Sequence, residues 1–315
     1  MGQLDHSLNK TEAMNAKPSP AKVRAIVFLA LSVLPLALSL QSMRPLLKLI
    51  SESDTFSQVP IIPLVTCFLI YMKKNEIFAD LSTDWKLGAP LFGSGLSCLF
   101  FARFNVWHLR LTNPYSLLIF AVVLMWLGAF ALCFGARSFR AACFPLLFLF
   151  FTVPIPEPLL STIISFLQTQ SSNMAELFFR LTGIPFHREG FVFELPGVTI
   201  QVAEECSGIH STLALLTTTV LASYIFLASP GKRFILWLAV VPTAIFKNGL
   251  RIATLSLLSV YVDPRFLYGK LHTRGGIVFF VLALLPMALL LSVLQKLEAG
   301  HTAARTGASP QISTT

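Results

Sequence analysis

Long apolar runs separated by short polar turns dominate the chain. Runs near residues 23–43, 56–72, 87–102, 115–135, 141–156, 208–228, 233–261 and 275–295 are nearly free of charge. Each is read as a helix crossing a hydrocarbon core of roughly 30 Å, which predicts about eight spans. The second and third are short and carry Pro60, Pro63, Pro90, Gly93 and Gly95. Segment 158–181 is different, because Leu159, Ile163, Ile164, Phe166 and Leu167 are mixed with Gln168, Gln170, Ser171, Ser172, Asn173 and Glu176. That mixture fits an interfacial helix better than a lipid-exposed span. Over 185–203 the period shortens to two: Phe191, Phe193, Leu195, Val198, Ile200 and Val202 alternate around Pro196–Gly197 and predict a small hairpin.

Both ends lack this patterning. Residues 1–21 and 297–315 are rich in Ser, Thr, Ala, Pro, Asn and Gln, so two disordered tails are expected around one polytopic membrane domain, 22–296. The polar stretch ahead of the first run favours a retained first span over a cleaved signal, although Ala37–Leu38–Ser39 has small-residue character.

Composition agrees with the membrane reading. Hydrophobic residues make up 55% of the chain and charged ones 12%, which excludes an ordinary soluble domain. The net charge of +9 is not arranged as a basic stripe interleaved with aromatic residues, so nucleic acid is not an expected partner. Membrane topology and attraction to anionic lipid account for it. An N-terminus inside places Lys73, Lys74, Lys86, Arg137, Arg140, Lys232 and Arg233 in the cytoplasm, with the tight turn Ser229–Arg233 as the clearest marker. The expected fold is therefore an all-α integral membrane protein of about eight transmembrane helices, with a small extracytoplasmic hairpin and an interfacial helix before Cys206.

Candidate chemistry is concentrated on the outer side of that topology. Cys67, Cys98, Cys133 and Cys143 lie among Leu, Phe, Val and Ala, where a thiol behaves as a small hydrophobe. Cys206 alone stands in a polar run, Glu204–Glu205–Cys206–Ser207–Gly208, at the start of an apolar helix, where a thiol can ionise and be reached. The cysteines show no paired spacing, so neither a disulfide framework nor a zinc site is expected, and no cofactor is called for.

A helix rising at about 1.5 Å per residue from Phe234 lifts Arg251 by about 26 Å, to the depth of Cys206. His272 lies in the next outer loop. The three then divide acyl chemistry between them. Cys206 attacks a carbonyl; Arg251, always protonated, stabilises the thiolate or the oxyanion; His272 takes the thiol proton and returns it to the leaving amine. Each has a plain alternative as well: a structural cysteine, an arginine snorkelling to headgroups with Asn248 one turn earlier on its face, and a solvated loop histidine. Arg188, Arg265, Lys270 and Arg274 also read either as solvated loop charge or as contacts for an acidic motif.

The residues Arg188–Glu189–Gly190, Glu194–Leu195–Pro196, Glu204 to Ile209, Asn248–Gly249–Leu250–Arg251–Ile252, and His272 with Gly276 resemble, in order and spacing, the exosortase/archaeosortase family over roughly 140–295. The resemblance implies a membrane cysteine peptidase or transpeptidase of the inner membrane, with its active site facing the periplasm or exterior. Its partners would be membrane-anchored exported proteins carrying a C-terminal sorting signal: a short motif, a hydrophobic helix and a basic tail. The family's catalytic set falls on Cys206, Arg251 and His272, with Glu204, Ser207, Gly208, Asn248 and Gly276 supporting it. A polytopic transporter, or an envelope enzyme acting on lipid-linked sugar through carboxylates such as Glu189, Glu194 and Glu204, is the alternative from residues alone.

Overall fold

The computed structural model describes residues 20–52, 60–105, 114–267 and 276–306. Two compact units divide the chain, Met1–Glu157 and Pro158–Thr315. In the first, α1 spans Pro20–Glu52, α2 Ile61–Met72, α3 Lys74–Ile77, α4 Trp85–Asn105, α5 Pro114–Ala141 and α6 Cys143–Phe148, with a 3-10 turn at Leu149–Thr152. Helices α4 and α5 approach closely through glycine, since a Cβ on Gly128 would lie 2.3 Å from the Phe92 nitrogen and one on Gly95 2.7 Å from Met125 Cγ. Small residues that let backbones touch are the usual means of helix association in lipid, where burial of apolar surface supplies no drive. Trp126 Nε1 donates to the Ser32 carbonyl at 3.0 Å and ties α1 to α5.

The second unit holds α7 (Glu157–Thr182), β1 (His187–Glu189), β2 (Val192–Leu195), β3 (Val198–Gln201), a 3-10 turn Glu204–Ser207, α8 (Ile209–Phe226), α9 (Pro230–Leu238), α10 (Val240–Tyr261), a second 3-10 turn Pro264–Leu267 and α11 (Gly276–Thr306). The strands form one antiparallel sheet in sequence order, with Arg188 opposite Phe193 and Phe193 opposite Ile200. Gly190 and Gly197, at φ 60° and 79°, occupy the two turns, where a side chain would be strained. The period of two now has its cause. Phe193, Leu195, Ile200 and Val202 face inward and pack with Phe179 and Ala175 of α7 and Ile252 and Ala253 of α10. Phe179 and Phe193 meet edge to face at 5.3 Å between ring centres, and each buried phenylalanine contributes about 1.5–3 kcal/mol. The sheet thereby joins α7 to α10 and fixes where the chain leaves β3.

Some expectations are corrected. Among the described residues, five helices are long and apolar enough to cross a membrane, or six if Cys143–Thr152 and Glu157–Thr182 make one broken span, instead of about eight. The expected second span is the 12-residue α2, about 18 Å long and too short to cross alone. The third, α4, carries Gly88, Gly93, Gly95 and the exposed Ser94 and Ser97 where a span would carry apolar bulk, and Gly88 and Gly95 pack closely on α5. The fifth is reduced to α6 and the 3-10 turn Leu149–Thr152, whereas the seventh stands as a candidate span, Pro230–Tyr261, although its helix breaks at Ala239 into α9 and α10. Pro145 and Pro242 lack an N–H, and their rings crowd the carbonyls of Ala141 and Leu238, where α5 and α9 end. Each proline then sits in the first turn of the next helix, where it is tolerated. The hairpin gains a third strand, β1. Helix α11 continues to Thr306, past the boundary expected at 296, while most of the N-terminal tail and residues 307–315 lie outside the described residues.

Candidate active site

After β3, Val202 is buried and held at both backbone groups: its N–H donates to the Phe191 carbonyl at 2.9 Å, and its carbonyl accepts Gln168 Nε2 of α7 at 2.7 Å. Ala203 is extended, and the chain then tightens into the 3-10 turn Glu204–Ser207, which carries Cys206. Gly208 follows at φ 78°, ψ 16°, closing that turn and capping α8. Glu204 is exposed, whereas Ser207 is 1% exposed and its Oγ has no hydrogen-bond partner among the described residues.

The left-handed turn is gripped from α10. A Cβ on Gly208 would lie 2.9 Å from both Cγ and Oδ1 of Asn248, itself 1% exposed. Glycine is needed there on two counts, backbone conformation and space. The Gly208 carbonyl accepts the Thr212 N–H at 2.9 Å, Thr212 Oγ1 at 2.8 Å and Ser211 Oγ at 3.0 Å. Ser211 Oγ in turn accepts a hydrogen bond from Lys247 Nζ. Lys247 and Asn248 of α10 thus stand beside Ser211 in the first turn of α8 and Gly208 at its cap. Gly249 completes the packing of α10, because a Cβ there would lie 2.6 Å from Met174 Cβ and 3.2 Å from the Ala175 nitrogen of α7.

Arg251 is partly buried, three residues beyond Asn248 on the same face of α10. Of the expected site residues, Glu204, Ser207, Gly208, Asn248 and Arg251 are thus gathered by one turn and one helix. Gly276 is the first residue of α11, with open space where a Cβ would be. His272 and the thiol of Cys206 lie outside the described residues. Among the described thiols, Cys67, Cys98, Cys133 and Cys143 are free, and no group of three or more His, Cys, Asp or Glu side chains is placed to hold a metal ion among the described residues.

Arg188 is committed elsewhere. Its guanidinium donates to Glu176 at 2.5 Å, to Asn173 at 3.0 Å and to the Gly190 carbonyl at 2.9 Å, and it lies over the Phe193 ring. It buttresses the sheet against α7 and is not a free contact for an acidic motif. Arg265 is exposed, and Lys270 and Arg274 lie outside the described residues. Gln168, Ser211 and Lys247 are not among the residues that the sequence pattern marks for the site. Only Lys247 left a signal, as a cation in the middle of an apolar run.

A protein-family model described as transmembrane exosortase matches residues 50–289, which includes the sheet, the Cys206 turn and α10. Among curated proteins and among solved structures, none matches the chain.

Proposed function

Because the chain belongs to the transmembrane exosortase family, a family of membrane transpeptidases and proteases, we propose that it is a thiol-dependent member that cuts a C-terminal sorting signal at the outer face of the cytoplasmic membrane. Cys206 is the nucleophile. Its proton passes to His272, and the thiolate attacks the scissile carbonyl carbon to give a tetrahedral oxyanion that the Arg251 guanidinium stabilises. The carbon–nitrogen bond then breaks, and His272 returns the proton to the departing amine. A thioester on Cys206 is left. Water, or the amine of an acceptor, attacks it and restores the thiol.

The substrate is an exported protein still held by its own C-terminal helix, with a short motif at the outer interface and a basic tail inside. Confinement to the membrane raises its local concentration at a site of the same depth, so tight recognition of the motif is not required. What supports this reading most is the packing of Gly208 on Asn248, which joins the turn carrying Cys206 to the helix carrying Arg251. The remainder of the Cys206 turn is exposed at Glu204, leaving a side from which a peptide can approach.

The test is processing of a co-expressed substrate protein by cysteine variants. Cys206→Ala is expected to insert normally and leave the substrate uncut, while replacing Cys67, Cys98, Cys133 and Cys143 together leaves cleavage intact. Cleavage by Cys206→Ala would remove the nucleophile assignment.

A further inference from the structure

Lys247 is the eighth residue of α10 and is 4% exposed, so it neither faces lipid nor snorkels to an interface. A cation turned into a membrane protein is costly unless it is bonded, and it marks function by default. Its bond runs to Ser211 Oγ. A serine hydroxyl has one proton and two acceptor positions; here the proton goes to the Gly208 carbonyl at 3.0 Å, which leaves the oxygen free to accept from the ammonium. The next residue on the helix, Asn248, presses on Gly208 itself. Two consecutive residues of α10 therefore hold one turn, one through a relay and one by contact.

Charge gives the relay a second meaning. Lys247 and Arg251 are one turn apart on the same face, and their charges repel. The other ionisable side chains of the neighbouring turn and of the first turn of α8 are Glu204 and Glu205, Cys206 itself and His210. Two cations one turn apart on α10, the helix that packs on the turn through Asn248, favour an anion there, and Cys206 stands in that turn.

We propose that Lys247 is a positioning residue for Cys206: it holds Ser211, Ser211 holds the Gly208 carbonyl, and that carbonyl fixes the left-handed turn on which the nucleophile sits. This rests on the reading of Cys206 as the nucleophile. Lys247 touches neither substrate nor reacting atoms in this role. Its removal changes the orientation and the ionisation of the thiol, which a purely structural lysine would not do.

The experiment uses the full chain in membranes, with Cys67, Cys98, Cys133 and Cys143 replaced, and iodoacetamide as the probe of Cys206 across pH. Lys247→Met is expected to slow alkylation at pH 7 about tenfold and move the rise of the rate to higher pH by about one unit, the loss expected when a thiolate loses a nearby cation. Ser211→Ala, a smaller change that spares the fold, is expected to move the profile the same way by less. Lys247→Arg, which keeps charge and donors, is expected to stay close to the parent. If Lys247→Met and Ser211→Ala, both inserted, follow the parent profile while the parent Cys206 responds, the positioning role is overturned and the nucleophile reading stands. A parent Cys206 that does not alkylate at any pH overturns both.

Discussion

Gly208 and Asn248, forty residues apart in the chain, pack so closely that a single methyl group on the glycine would lie 2.9 Å from the amide carbon and oxygen of the asparagine. That contact is the join between the turn bearing Cys206 and the helix bearing Arg251.

Gly208→Ala is therefore expected to be severe. The left-handed backbone costs a non-glycine residue roughly 1–2 kcal/mol, and overpacking adds about 1–3 kcal/mol. Thermal melting in detergent should show a loss of about 2–5 kcal/mol. In combination with Asn248→Ala the steric part is relieved and the conformational part remains, so the double variant is less unstable than the sum of the two single ones. Strict additivity would mean that the two residues do not share the contact.

Arg251→Lys keeps the charge but loses the planar fork of donors that a directed oxyanion contact requires. Substrate cleavage is expected to fall by about two to three orders of magnitude, the usual cost of one oxyanion donor. His272→Gln is expected to be at least as damaging, because it abolishes proton transfer. Retention of more than a tenth of the activity by Arg251→Lys would reduce that residue to a headgroup anchor.

The sequence made the sheet legible through its alternation at Phe191, Phe193, Leu195, Val198, Ile200 and Val202, because one face of it had to be buried. Strand β1 was not legible: His187–Glu189 is three residues long with no apolar alternation, and it pairs only because β2 presents an edge. The helix breaks before Pro145 and Pro242 were written in the chain, as the residue four positions before each proline marks the end of a helix. The break before Pro242 does not remove the seventh span, which stays a candidate over Pro230–Tyr261. At the site, residue types and depth brought Cys206, Asn248 and Arg251 together, since a rising helix and a helix start can be measured from sequence. The Lys247–Ser211 link could not be read that way, because it depends on which faces of α8 and α10 meet.

The orientation carries a prediction of its own. Reporter fusions after Gly231 are expected to read as cytoplasmic, and fusions after Gly190 and Arg265 as extracytoplasmic. If Gly190 and Gly231 report the same side, α8 does not cross, and Cys206 and Arg251 do not meet at the outer face.

Passage of a substrate acyl group through Cys206 is tested most directly by mass spectrometry of the enzyme isolated during processing of a co-expressed sorting substrate. A hydroxylamine-sensitive thioester between the N-terminal fragment of the substrate and the peptide containing Cys206 is expected, absent in Cys206→Ala. An adduct on any other residue, or continued cleavage by Cys206→Ala with no adduct, would contradict it.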